Sequence, residues 1–118
     1  MNQITNEMMN GYLDVIIQDY TSWQGLSKPE PESEIAARVR AEMNQRFISS
    51  VRFETGRKYI KVISNGGVHS FIVNTTKDRE FRLGDILKPA GFNAPARNFA
   101  RGNLIDGTLS NVSWTGAI

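Results

Sequence analysis

Apolar and polar positions fall into three regimes along the chain. Between residues 2 and 23, Ile4, Met8, Tyr12, Ile16 and Tyr20 recur every four residues with Met9, Leu13 and Ile17 beside them, the spacing of a helix with one apolar face. Gly11 costs such a helix about 1 kcal/mol relative to Ala, so the helix either leans on packing or is interrupted there. An end is expected between Trp23 and Gly25, where the glycine can take the left-handed closing conformation. "SKPEPESE" reads as a connector, because Pro29 and Pro31 lack backbone donors and extend the residues before them.

A second helix is predicted from Pro31 or Ser33 to Arg46, with Glu32 and Glu34 at its positive end. Its apolar positions are Ile35, Ala36, Val39, Met43 and Phe47. Arg38, Glu42, Gln45 and Arg46 form its solvated face, with Arg38 and Glu42 four residues apart and able to pair.

From Phe47 the period changes to two. "FISSVRFE" alternates as a strand, and "KYIKVISNGGVHSFIV" predicts antiparallel strands at 58–64 and 68–74 around a tight turn at Asn65-Gly66-Gly67. "TTKDRE" reads as a turn and "FRLGDIL" as a fourth, short strand or a pair of strands interrupted at Gly84. "NVSWTGAI" reads as a final strand docking Val112 and Trp114 on the sheet. Between them, residues 89–104 show neither period. The expected architecture is α+β: two N-terminal helices, then a twisted antiparallel sheet of four or five strands with a long irregular loop near the C-terminus. A half-open barrel is a variant of it. A chain of 118 residues is expected to make one domain, 1–118, helical over 1–46 and β over 47–118.

Composition narrows the chemistry. With 40% hydrophobic and 22% charged residues the chain reads as globular. It has no cysteine, which removes disulfides, thiol nucleophiles and cysteine-ligated metals and suits a reducing compartment. No apolar run approaches the roughly 20 residues of a membrane span, and the N-terminus lacks the pattern of a secretory signal, so no membrane partner is expected. The net charge of +2 hides an uneven distribution: −5 over residues 1–34 and +7 over residues 35–118.

The catalytic inventory is thin. His69 is the only histidine and is expected as a half-buried or surface strand residue without a positioned partner. The acids are scattered, so neither a metal site nor a cofactor is expected, and the chain does not read as an enzyme. The glycines of "SNGGVHS" serve a hairpin rather than a phosphate cradle.

Two surfaces remain. In "APARNFARGN", Arg97 and Arg101 lie four apart around Phe99, and Gly102 permits close backbone approach. With Phe92 these make a candidate partner-binding set, the phenylalanines as anchors and the arginines as exposed contacts; the alternative is that the phenylalanines plug the loop into the core. The second surface is basic, with Arg52, Arg57, Lys58, Tyr59 and Lys61 as its residues: Arg52 and Lys61 on the same exposed sheet face as Tyr59 would mix cations with an aromatic ring, as single-strand nucleic-acid binders do. Trp23, Trp114 and an edge strand leave self-association open.

The stretch "RKYIKVISNGGVHSFIVN", followed by "FRLGDILKPAGFNAPARNFARGNLIDG" and "VSWTGA", resembles a family of small, mostly uncharacterised proteins of tailed bacteriophages. The match spans residues 57 to 116 and leaves the acidic N-terminal helix uncovered. The resemblance implies an accessory protein made in the host cytoplasm that acts by stoichiometric binding to a bacterial host protein or defence complex, such as an anti-CRISPR or other anti-defence or takeover inhibitor. It carries no activity to transfer. The runner-up is a nucleic-acid-binding module.

Overall fold

Thr5 starts the first helix. Its Oγ1 accepts the Met8 N–H at 3.1 Å, and Ile4 and Met9 on either side are both buried, so cap and hydrophobic staple coincide. From there α1 runs Asn6–Ser27 in the computed structural model, which describes residues 3–27 and 33–117. The helix passes Gly11 without a break, with open space around that glycine, and continues beyond Gly25 instead of closing there. Ile4, Tyr12, Ile16 and Tyr20 are buried as the four-residue spacing requires, while Met8 of that row is half-buried and its neighbour Met9 is buried. Pro29, Pro31 and Glu32 lie outside the described residues.

α2, Glu34–Ser50, begins at Ser33, whose side chain accepts the Ala36 N–H at 3.1 Å. It ends at Ser50, not Arg46, and takes over the first half of the predicted strand. The reason lies in Phe47, which stacks on Tyr20 at 4.0 Å and meets Trp114 edge-on at 5.8 Å. Phe47 and Val51 continue the four-residue row from Met43 as well as they alternate around Ser49, and aromatic packing settles the choice for helix. Phe47 is the buried residue of α2.

The four-stranded sheet is antiparallel in the order β1-β2-β3-β4, formed by Arg52–Thr55, Tyr59–Ser64, Gly67–Val73 and Ile86–Leu87. Asn65 at φ 52° and Gly66 at φ 81° form the tight β2–β3 turn. The Ser50 hydroxyl accepts the Asn65 N–H at 2.8 Å, pinning this turn to the end of α2. The sheet stays open. One face, with Ile60, Val62, Ile72 and Ile86, packs on α1; the other, with Phe71, Val73 and Leu87, is covered by Phe81.

The loop expected over 89–104 is mostly paired. β5, Pro89–Gly91, and β6, Ala94–Pro95, make a small hairpin. Residues 101–104 run beside 84–86 through three backbone bonds: Arg101 N–H to Ile86, Ile86 N–H to Gly102 and Leu104 N–H to Gly84, at 2.8, 2.9 and 2.8 Å. The unpaired stretch contracts to about 97–100. Gly102 is required by a close approach within the chain: a Cβ there would collide with the Thr108 carbonyl.

The C-terminal segment forms a hairpin, β7 at Val112–Ser113 and β8 at Gly116–Ala117, rather than one strand on the sheet. It wedges against α1, where the Trp114 N–H donates to Asp19 Oδ2 at 2.8 Å. The molecule measures 54 × 26 × 24 Å.

Candidate binding surface

The β5–β6 hairpin turns at Phe92 and Asn93. Lys61, on β2, donates its Nζ to Asn93 Oδ1 at 3.1 Å and sits 4.3 Å from the centre of the Phe92 ring, which is 56% exposed. A few residues on, Phe99 is 57% exposed with the Arg101 guanidinium 3.9 Å from its ring centre. Each ring thus presents one side to solvent and the other to a cation.

The arginines of this segment are occupied. Arg97 donates to Tyr59 Oη at 2.5 Å and to Asp78 Oδ1 at 2.9 Å, and lies 4.8 Å from the Phe81 ring centre. That hydrogen bond from Arg97 chiefly lowers the Asp78 carboxyl to a pKa of about 2, and Arg97 itself is raised by it. Arg101 is only 8% exposed and donates to Asn98 Oδ1 and the Phe99 carbonyl, both at 2.8 Å. The expected roles are therefore exchanged at Phe99 and Arg101. Both phenylalanines are exposed and neither plugs the core, Arg101 is buried, and Arg97, although still exposed, ties the segment to Tyr59 and Asp78. A guanidinium has five fixed donors, and short-range acceptors claim it where the chain doubles back.

Arg52, Tyr59 and Lys61 do share a sheet face, as the β1–β2 register requires. Their charges are partly spent: Arg52 lies 3.5 Å from Glu54, Lys61 caps Phe92, and Tyr59 receives Arg97. Arg57 and Lys58 instead join Lys77 and Arg79, which sequence reasoning missed, around a cleft of about 660 Å³ that also includes Tyr59, Asp78 and Glu80. Among the described residues these four cations have no ion-pair partner. The hairpin register held the signal: β2 starts where β3 ends, and the Asn74 N–H donates to the Lys58 carbonyl at 2.7 Å.

Two polar networks were invisible in the sequence. Asn103 Nδ2 donates to the Leu83 carbonyl at 3.1 Å and to Asp85 Oδ1 at 2.9 Å, and its Oδ1 accepts the Asp106 N–H at 2.9 Å. Asp85 Oδ2 accepts the Arg82 N–H at 2.9 Å. Much of "GDIL" and "RGN" is thereby a structural joint. The second network links Tyr12, Ser70 and His69. His69 Nε2 faces the Ser113 carbonyl at 2.6 Å and so carries its proton, leaving Nδ1 to accept from Ser70 Oγ at 2.8 Å; Ser70 Oγ in turn accepts from the Tyr12 hydroxyl at 2.7 Å. Burial lowers the His69 pKa and raises that of Tyr12. Ser70 is wholly buried, and its bonds to Tyr12 and His69, with that of His69 to Ser113, tie helix, sheet and hairpin together. His69 is thus more buried than its strand position suggested.

Among the described residues no three His, Asp or Glu side chains converge as metal ligands, and no helix is long and apolar enough to cross a membrane. No protein-family model, characterised protein or solved structure matches the chain.

Proposed function

We propose that this is a phage-encoded accessory protein that acts in the host cytoplasm by stoichiometric binding to a bacterial protein or defence complex, with Phe92 and Phe99 at the contact. The observation that carries this reading is the pair of exposed rings, each backed by a cation, on a segment held by the Arg97 and Arg101 bonds. Rings fixed before binding lose little side-chain freedom on docking, and aromatic residues dominate binding hot spots. The phage origin and the host target rest on the resemblance of residues 57 to 116.

The test is affinity capture from host lysate followed by titration with the recovered partner. A saturable complex of fixed stoichiometry, weakened about tenfold or more by each of Phe92→Ala and Phe99→Ala, is the expected result. Failure to recover a saturable partner, or equal capture by the double variant, counts against it.

The cleft of Arg57, Lys58, Lys77 and Arg79 favours a second reading, nucleic-acid binding beside Tyr59. Four phosphate contacts predict a slope of log affinity against log salt of about −3, reduced by about 1 in Lys77→Ala. No binding to single- or double-stranded DNA or RNA at low salt removes this reading.

A further inference from the structure

α2 carries its apolar row on the outside. Ile35, Val39 and Met43 are 70%, 48% and 48% exposed, whereas Arg40, Asn44 and Phe47 turn toward the body; Met43 and Arg46 also border the groove that α2 shares with Tyr20, Trp23 and Trp114. Exposed apolar residues at four-residue intervals over three turns form a ridge of the kind that fits between the ridges of another helix. One residue back along the helix, and so on its adjoining flank, runs a parallel row of charges, Glu34, Arg38, Glu42 and Arg46, alternating in sign. Among the described residues none of these four is ion-paired, and the Arg38–Glu42 pair expected from their spacing is not formed.

We propose that this face is the interface of a homodimer in which α2 packs antiparallel on α2 of a second copy. In an antiparallel pair the same flank of each helix faces its counterpart. A crossing centred on residue 40 sets Arg38 of one copy beside Glu42 of the other and Glu34 beside Arg46, so all four contacts are between opposite charges. The same register places Ile35, Val39 and Met43 of one copy midway between the levels of those residues in the other, so that the ridges interleave. One offset therefore satisfies both the charges and the packing. Arg40 would meet its own counterpart at the centre of the opposite flank, but it is half-buried and already engaged within its own chain. Antiparallel pairing also leaves the two sheets at opposite ends of the helix pair. The tryptophans considered for self-association are not needed, because Trp23 and Trp114 contact each other within one chain at 5.1 Å.

A helix of 17 residues spans about 25 Å, short for a standard interface of roughly 1,600 Å², so association falls in the micromolar range. Sedimentation velocity over a concentration series tests it. Val39→Glu is expected to weaken the dimer about a hundredfold while leaving unchanged the thermal midpoint measured where both chains are monomeric. Arg38→Glu alone and Glu42→Arg alone set like charges together and are each expected to be monomeric. An equimolar mixture of those two variants restores opposite charges at both contacts and is expected to form a heterodimer of wild-type affinity. A wild-type chain that stays monomeric throughout, or a mixture that associates no better than either variant alone, overturns the proposal. So does a Val39→Glu chain that self-associates normally but loses a different partner, which would assign the ridge to that partner.

Discussion

α1 and α2 carry the same apolar spacing and meet opposite fates. In α1 the row Tyr12, Ile16, Tyr20 is buried against the sheet and the C-terminal hairpin; in α2 the row Ile35, Val39, Met43 faces solvent up to its last member, Phe47. Periodicity reports which side of a helix is apolar, and the partner for that side depends on where the chain has surface left to cover. The sheet offers one face to a helix, and α1, twenty-two residues long, takes it together with β7 and β8. On the opposite face Phe81 packs over Phe71, Val73 and Leu87. Among the described residues α2 meets the body at its C-terminal end, at the aromatic corner of Tyr20, Phe47 and Trp114 and at the Asn65 turn.

The largest expected difference between the helices comes from matched truncations of their isoleucines. Ile16→Ala opens a cavity in the core and is expected to cost about 2–5 kcal/mol in urea denaturation. Ile35→Ala removes a side chain that is 70% exposed and is expected to change stability by about 0.5 kcal/mol or less at concentrations where the chain is monomeric. Equal losses at the two positions would mean that α2 is covered within its own chain.

Tyr12 sharpens the contrast in a second way, since α1 is also tied to the sheet by a polar chain through Ser70 to His69. His69 is held neutral in the folded state, with its pKa below the usual 6.5 chiefly through burial. Unfolded chains therefore take up a proton that folded ones refuse, and the stability that His69 confers is complete above pH 6.5 and drains away as pH falls from there toward the lowered value. Unfolding free energies measured between pH 7 and pH 5 should fall in the parent as pH drops below 6.5 and follow a flatter profile in His69→Gln. A parent profile that is flat over this window refutes the neutral, buried imidazole. Tyr12→Phe, which strips one donor from Ser70, is expected to cost about 1 kcal/mol at neutral pH.

How much of this was legible follows sequence distance. The β2–β3 hairpin was, because its two strands flank Asn65 and Gly66 directly and every contact that fixes its register is local. The α+β arrangement and the buried row of α1 followed from period alone. The end of α2 did not, since Met43, Phe47 and Val51 satisfy a helical period while Phe47, Ser49 and Val51 satisfy a strand period. The joint at Asn103 joins residues about twenty positions apart, and the Tyr12–Ser70 bond spans 58. Neither leaves a periodic trace. The exchange of roles between Phe99 and Arg101 escaped for a related reason: short-range backbone acceptors captured the guanidinium, and composition cannot register where a loop doubles back.

The two N-caps give the smallest effect and the finest resolution of how the helices differ. Thr5 and Ser33 make the same bond, an oxygen accepting the N–H three residues on, each at 3.1 Å. Removing either hydroxyl should cost its own helix about 1 kcal/mol. Ile4 and Met9 bind the start of α1 into the core, so Thr5→Ala should lower global stability by about that amount. The first turns of α2 bury nothing, and they can open while Phe47 and the sheet remain folded. Ser33→Ala should therefore leave the denaturation midpoint within about 0.3 kcal/mol and instead speed amide exchange several-fold over residues 36–40, measured where the chain is monomeric. In the dimer that acceleration should shrink, because opening α2 then also breaks the helix pair; exchange that is independent of concentration would separate the exposed ridge from self-association.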